Sequence, residues 1–165
     1  MKIIEDFNQI RDIPYRIPVD SNEEDCCCNG KAKQLKKLLE QEGLEVRYRV
    51  CEFHWSDLGL PEEIKKQIAE NLATHVYLEV LINDKWVVVD PTWDKGLEQV
   101  LPVNDWDGIG DTKIAVPVIK TYDLGASEKI MTCEAPGPGT VSENKNTDFE
   151  ITFNKWLQAE REGKN

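Results

Sequence analysis

The sequence predicts an α+β fold in which helices pack against an antiparallel β-sheet. Three segments carry this prediction: an amphipathic helix over residues 30–42, an alternating strand over 44–53, and a β-hairpin over 74–89. Helices combined with antiparallel strands in one chain are typical of this class. At 165 residues the chain has the length of one domain, 1–165.

The N-terminal segment predicts a short helix followed by extended chain. Ile3, Ile4, Phe7 and Ile10 recur at helical spacing, and Pro14 follows them. Because proline disfavours the continuation of a helix, this helix should end before that residue.

The clearest helical pattern covers residues 30–42. Its apolar positions form one stripe, made of Ala32, Leu35, Leu38 and Leu39. The charged positions from Lys31 to Glu42 are expected to form its solvated side, and Gly43 supplies the stop.

Two further elements are predicted before the hairpin. Residues 44–53 alternate in the manner of a half-buried strand. Pro61 then opens a helix through about Leu72, because proline suits the first helical position and the two glutamates that follow suit the helix dipole. The insertion over residues 56–72 is expected to roof a cleft.

The hairpin has a predictable register. Residues 74–82 and 85–89 are rich in β-branched and aromatic side chains and flank Asn83-Asp84, a dipeptide suited to a tight turn. With a two-residue turn, position 82 pairs with 85 and position 77 pairs with 90. His75 then meets Asp90 diagonally on one face of the ladder.

The C-terminal part carries weaker signals. Residues 102–110 and 135–139 are expected to be loops, and 114–122 to be a strand despite Pro117. Within a C-terminal extension, 126–165, a helix is predicted from 149 to about 160, capped by residues 146–148. Its apolar stripe consists of Phe149, Phe153, Trp156 and Leu157, and it either docks on the core or forms a dimer contact.

Charge and composition exclude several classes of partner. The chain carries 31 acidic and 20 basic residues, a formal net charge of −11, so nucleic acid is not an expected partner. No apolar run approaches the ~20 residues that span a bilayer, and the opening residues lack the apolar stretch of a secretory signal. These features predict a soluble, cytoplasmic protein with no membrane partner.

The five cysteines, three of them consecutive, indicate free thiols in a reducing compartment. If the helix begins near Asp25, Cys28 lies in its first turn and shares the face of the apolar stripe. By the same count Cys26 lies on the solvent side, and Cys27 lies between the two faces.

A cysteine nucleophile needs a thiolate, which a helix N-terminus and a neighbouring histidine both favour. Cys28 is therefore the candidate nucleophile, and the two histidines, His54 and His75, are the candidate bases. The hairpin register places Asp90 beside His75, where a carboxylate would fix the tautomer and orient the ring.

The motifs around these residues resemble the transglutaminase-like superfamily. They are Cys28-Asn29-Gly30-Lys31-Ala32 leading into a leucine-bearing helix, Gly43-Leu44-Glu45-Val46-Arg47, Thr74-His75-Val76-Tyr77-Leu78-Glu79-Val80 and Trp86-Val87-Val88-Val89-Asp90-Pro91-Thr92. The resemblance covers residues 25–95, the motif core, and keeps the order Cys, His, Asp. It implies a papain-like core with Cys28 as nucleophile, His75 as base and Asp90 as the orienting acid.

The resemblance also implies a reaction. A cysteine protease-like or transglutaminase-like enzyme would act on peptide or protein amides through a thioester, without metal or cofactor, and would pass the acyl group to water or to an amine. Two positions depart from the pattern: Cys26 stands where glycine is common, and Tyr77 where tryptophan is common. The Cys28 main chain is one expected oxyanion donor, and Asn22 or Tyr15 is the second.

Two other interpretations stay open. A catalytically inactive, protein-binding member of the superfamily would show the same His–Asp pairing. Cys51 and His54 have the spacing of half a zinc site, which the cysteine triplet would complete in a zinc-stabilised module. Otherwise Cys51 and Cys133 are expected to be small buried apolar residues.

Overall fold

The centre of the protein is a four-stranded antiparallel sheet with the order β3-β2-β1-β4. The computed structural model describes residues 1–132 and 145–164. The strands are β1 (Val46–His54), β2 (Leu72–Ile82), β3 (Lys85–Val89) and β4 (Lys120–Thr121). Since the same chain forms helices that pack on this sheet, the α+β class is confirmed.

Helices cover both faces of the sheet. They are α1 (Lys2–Arg11), α2 (Cys28–Gln41), α3 (Glu62–Lys65), α4 (Leu124–Met131) and α5 (Thr147–Arg161), with 3₁₀ turns at Trp55–Leu58 and Lys95–Leu97. In the described part of the chain, no helix has both the length and the apolar character needed to cross a membrane.

The hairpin forms with the predicted register. Asn83 and Asp84 both have positive φ, 49° and 62°, as a two-residue type I′ turn requires. Ile82 pairs with Lys85, and Leu78 pairs with Val89, the last residue of β3. Because β2 starts six residues before Leu78, its first half extends beyond β3, and no strand among the described residues pairs with that free edge.

The sheet separates two hydrophobic clusters. On one face, Val50, Val76 and Leu78 pack against α1 and α2. On the other face, Cys51 and Tyr77 pack against α5 and the loops that follow β3. Successive residues of β2 therefore face different cores, as the two-residue period of a strand dictates.

The helices predicted over residues 30–42 and 149–160 both form, as α2 and α5. The stripe of α2 is buried at Ala32, Leu35 and Leu39, and α5 buries Phe149, Phe153 and Leu157 while Trp156 is partly buried. Since the α5 stripe packs into the core, the dimer-contact alternative is not needed to explain it. The expected loop over 135–139 and Cys133 lie outside the described residues.

Three local predictions are wrong in extent. The helix predicted over 61–72 is one turn, because the carbonyl of Asn71 accepts the Trp55 N–H and continues the β1–β2 ladder. The strand predicted over 114–122 shrinks to β4, since Ala115 bonds to Asp90 and Trp93 instead of to a strand. Helix α2 does not begin near Asp25. It begins at Cys28, because the main chain of Cys27 is extended, with ψ of −171°.

Candidate active site

His75 and Asp90 meet as the hairpin register predicts. The Nε2 of His75 lies 2.8 Å from Oδ2 of Asp90, and the residues are only 3% and 0% exposed. Asp90 also accepts the N–H and hydroxyl of Thr92, at 3.1 and 2.6 Å, and the N–H of Ala115 at 2.8 Å. Burial raises the pKa of Asp90, but His75 and these hydrogen bonds outweigh burial and lower it.

Cys28 is the first residue of α2, where the helix dipole favours a negative charge. The pKa of its thiol lies well below the ordinary value of 9.0. The neighbouring Cys27 thiol is the largest cause; burial opposes the lowering, and His75 and the main chain of Val76 add to it. The surroundings of Cys28 therefore favour the thiolate, which is the nucleophilic form of a cysteine.

The free edge of β2 explains why Val76 can bind the sulfur. Its partner in β1, Val50, uses its N–H for the Ser127 hydroxyl at 3.0 Å and its carbonyl for the Tyr122 N–H at 2.9 Å. Since Val50 directs both groups away from β2, Val76 directs its N–H to the opposite edge. Beyond the end of β3, this edge is where Cys28 lies.

His75 lies beside Cys28 and interacts with it electrostatically. Its Nε2 is occupied by Asp90, which leaves Nδ1 for the sulfur. Burial lowers the pKa of His75, but the charge of Asp90 and the hydrogen bonds to Asp90 and Cys28 raise it to about 10. Both shifts favour an imidazolium beside a thiolate over the neutral pair.

Asp25 organises the turn that precedes the nucleophile, a role that the sequence analysis missed. Its Oδ1 accepts the N–H of Cys27 at 3.0 Å and the Cys27 thiol at 2.8 Å. The bond to Cys28, burial and Asp25 all raise the pKa of Cys27, so this thiol stays protonated. An aspartate whose side chain accepts the N–H two residues further along is a typical turn signal, and it identifies the feature in the sequence.

Gly30 is required by the same turn. A Cβ atom at this position would lie 1.7 Å from the carbonyl oxygen of Asp25. The motif glycine therefore allows the main chain before Cys28 to lie directly on the first turn of α2.

Lys31 was expected on the solvated side of α2, and this expectation is wrong. Its side chain is 0% exposed, and Nζ donates to the carbonyls of Arg11, Ile13 and Thr92 at 2.8, 2.9 and 2.7 Å. Burial lowers its pKa to about 8, against the raising effect of Asp94 and Asp90. Lys31 ties the start of α2 to the loop that follows Asp90.

The two oxyanion candidates have different surroundings. Asn22 is exposed, and its N–H donates to Asp20 at 2.8 Å. Tyr15 is buried, with its ring 4.6 Å from that of Trp93. Burial and then the negative charge of Cys28 raise the pKa of Tyr15 well above its ordinary value. Of the two candidates, Tyr15 is the one whose pKa responds to the charge of Cys28. Its role as an oxyanion donor stays a prediction.

A cavity of about 90 Å³ lies beside the nucleophile, between α2, α4 and the sheet. Its walls are Asn29, Lys33, Val50, Thr74, His75, Val76, Ile130 and Met131. Two of them, His75 and Val76, also interact with the Cys28 sulfur. No residue of the 56–72 insertion lines it; that segment packs Leu58, Leu60 and Ile64 into the cluster on the α5 side.

The remaining candidates do not converge on this site. Cys51 is fully buried, as predicted, and burial raises its pKa to about 12. His54 lies at the end of β1 with Nδ1 3.6 Å from Oδ2 of Asp57. Among the described residues, no three His, Cys, Asp or Glu side chains are grouped to hold a metal ion.

Comparisons of this chain with protein-family models, curated proteins and solved structures gave no match. The transglutaminase-like resemblance therefore stays a prediction, and function is inferred from the geometry of the site.

Proposed function

We propose that this protein is a thiol-dependent acyl-transfer enzyme that acts on amide bonds of peptides or proteins. The observation that supports the proposal best is the position of His75, which Asp90 holds at 2.8 Å and which lies close enough to Cys28 that each residue shifts the pKa of the other. A nucleophile, a base and a group that orients the base are the three parts that acyl transfer requires.

The reaction begins from the ion pair. The Cys28 thiolate attacks the amide carbonyl carbon, a C–S bond forms, and the carbonyl oxygen becomes an oxyanion. His75 gives its proton to the nitrogen as the C–N bond breaks, which releases ammonia or an amine and leaves a thioester. Water or a second amine then loses a proton to His75 and attacks the thioester, and Cys28 leaves as thiolate.

Preorganisation supports this mechanism. The oxygens of Asp90 accept four hydrogen bonds from His75, Thr92 and Ala115, so the carboxylate is fixed before substrate binds. The Cys28 N–H, at the first position of α2, is the proposed main-chain oxyanion donor, and Tyr15 is the proposed second donor. A papain-like arrangement, with the nucleophile helix against the sheet that carries His75 and Asp90, is part of the same proposal.

An activated ester tests the proposal without knowledge of the natural substrate. With p-nitrophenyl acetate we expect a stoichiometric burst of p-nitrophenolate and an acetyl thioester mapped to Cys28 by mass spectrometry. Cys28→Ala should abolish the burst, and the matched control Cys26→Ala should keep it. Hydroxylamine should speed turnover if amines enter the site.

The competing candidate is a protein-binding domain of the same fold. It predicts equal, slow ester hydrolysis by the wild type and by Cys28→Ala, with no acetyl group on Cys28. That result would overturn the proposal.

A further inference from the structure

We propose that Lys33 binds a carboxylate of the substrate in the small cavity beside Cys28, so that the preferred amides carry a negative charge close to the scissile bond. This inference rests on the function proposed above and names a substrate class for the same site.

The cavity adjoins the reacting atoms. Its walls include His75 and Val76, which interact with the Cys28 sulfur, and Asn29, the next residue along the chain. At about 90 Å³ it is far smaller than the several hundred Å³ of a pocket that encloses a whole ligand. It therefore suits one side chain or one short acid next to the reacting carbonyl.

The cavity has an apolar wall and one cationic side chain in its lining. Val50, Val76, Ile130 and Met131 provide an apolar wall, on which methylene groups can pack. Lys33 is exposed on α2, one turn after Asn29. The described lining contains no aspartate or glutamate, although the chain as a whole has a net charge of −11.

Within the described part of the protein, the ammonium group of Lys33 forms neither an ion pair nor a hydrogen bond. Its neighbour on the helix, Lys36, pairs with Glu40 instead. Because the overall field of an acidic protein repels anions, selectivity for a carboxylate must come from a local cation. Lys33 is that cation at this cavity.

Two isosteric alkylating agents test the inference. Iodoacetate and iodoacetamide both transfer a two-carbon unit to the Cys28 sulfur and release iodide, but only iodoacetate carries a carboxylate. The rate ratio at Cys28, iodoacetate over iodoacetamide, is measured by site-resolved mass spectrometry. Lys33→Gln should lower this ratio about fivefold, the effect of one unit charge at close range in water.

The matched control is Lys37→Gln, which removes an exposed lysine from the same helix, outside the cavity lining. It should leave the ratio unchanged, and high salt should reduce the difference between the variants. If both variants lower the ratio equally, the effect is one of net charge; if neither does, Lys33 does not meet the carboxylate. Either result overturns the inference.

Competition identifies the source of the carboxylate. N-acetylglycine offers a terminal carboxylate and N-acetylaspartic amide a side-chain carboxylate, and protection of Cys28 by either supports the inference if Lys33→Gln removes it. Failure of the proposed function is distinguishable, because Cys28 would then react with iodoacetamide no faster than Cys26, whatever the ratio.

Discussion

Two buried clusters of charge lie at the two ends of the loop from Asp90 to Asp94, and they use their polar groups differently. Asp94 accepts Arg161 through Nε and Nη2, at 2.9 and 2.7 Å, and the N–H of Tyr15 at 2.9 Å. These are strong bonds among groups that packing holds in place.

In the cluster of His75 and Asp90, only the Asp90 side is held in place by hydrogen bonds of this kind. The carboxylate of Asp90 is saturated, but the other side of His75 faces Cys28, a partly exposed residue beside a cavity. The saturated cluster at Asp94 therefore serves stability, whereas the cluster at His75 keeps one charged atom available for chemistry. The following changes separate the two roles.

The largest effect on stability is expected from Asp94→Ala. It leaves Arg161 without its carboxylate and removes an acceptor from Tyr15, so the free energy of unfolding should fall by about 3 kcal/mol. The iodoacetamide rate at Cys28 should stay within about twofold of the wild type. Glu162→Ala, which breaks an exposed pair with Lys164, should leave the midpoint of the same urea titration almost unchanged. A slowed Cys28 in Asp94→Ala would contradict the separation.

His75→Gln is expected to have the opposite pattern, with its main effect on the reactivity of Cys28. Glutamine keeps a donor for Asp90 but removes the imidazolium, so the pKa of Cys28 should rise. At pH 6 the iodoacetamide rate at Cys28 should then fall about 100-fold, in proportion to the lost thiolate. His54→Gln, the change at the other histidine, should leave the rate unaltered. Equal rates for the two variants would exclude His75 as the partner of the nucleophile.

A smaller effect is expected from Gly30→Ala. The added Cβ meets the Asp25 carbonyl and forces the turn away from α2, which should cost about 2 kcal/mol of unfolding free energy and slow the alkylation of Cys28 several-fold. The control Gly125→Ala adds a Cβ in α4 at an ordinary 3.5 Å from Asp123. If both alanines were tolerated equally, the turn at Asp25 would not position Cys28.

The smallest effect concerns the pH dependence of stability. Folding raises the pKa of His75 from its ordinary value of 6.5 to about 10, so the contribution of His75 to stability falls as the pH rises above 6.5. Folding lowers the pKa of Cys28 from its ordinary value of 9.0, so the contribution of Cys28 rises with pH until the pH reaches 9.0. Between 6.5 and 9.0 the slopes cancel, because folding only moves a proton from Cys28 to His75.

Cys28→Ser removes the contribution of Cys28 to the pH dependence of stability and leaves that of His75. Relative to the wild type, its unfolding free energy should fall by about 1 kcal/mol for the first pH unit above 6.5. Lys31, with a pKa lowered to about 8, titrates in both proteins and cancels in the difference. Parallel curves for the two proteins would show that no ion pair forms.

The His75–Asp90 contact could be predicted from the sequence because its determinants are local. A two-residue turn at Asn83-Asp84 sets the register of every pair in the hairpin. The helical period likewise places Cys28 on the face of the buried stripe.

The surroundings of Cys28 could not be predicted because they depend on distant parts of the chain. The burial of Lys31 needs carbonyls from the end of α1 and from the loop after Asp90, and a periodicity count treats any lysine as solvated. The open N–H of Val76 depends on where β3 stops. Helix α4 was missed because it has only eight residues, although Asp123 caps it through the N–H of Ala126 at 2.8 Å.

The most direct test of the ion pair is the pH profile of iodoacetamide alkylation, resolved for each cysteine in the wild-type protein. We predict that Cys28 reacts near its maximal rate at pH 6 to 7, while Cys26 and Cys27, whose pKa values are raised, become reactive only in the alkaline range. A Cys28 rate that climbs with pH along the same curve as Cys26 would contradict the account.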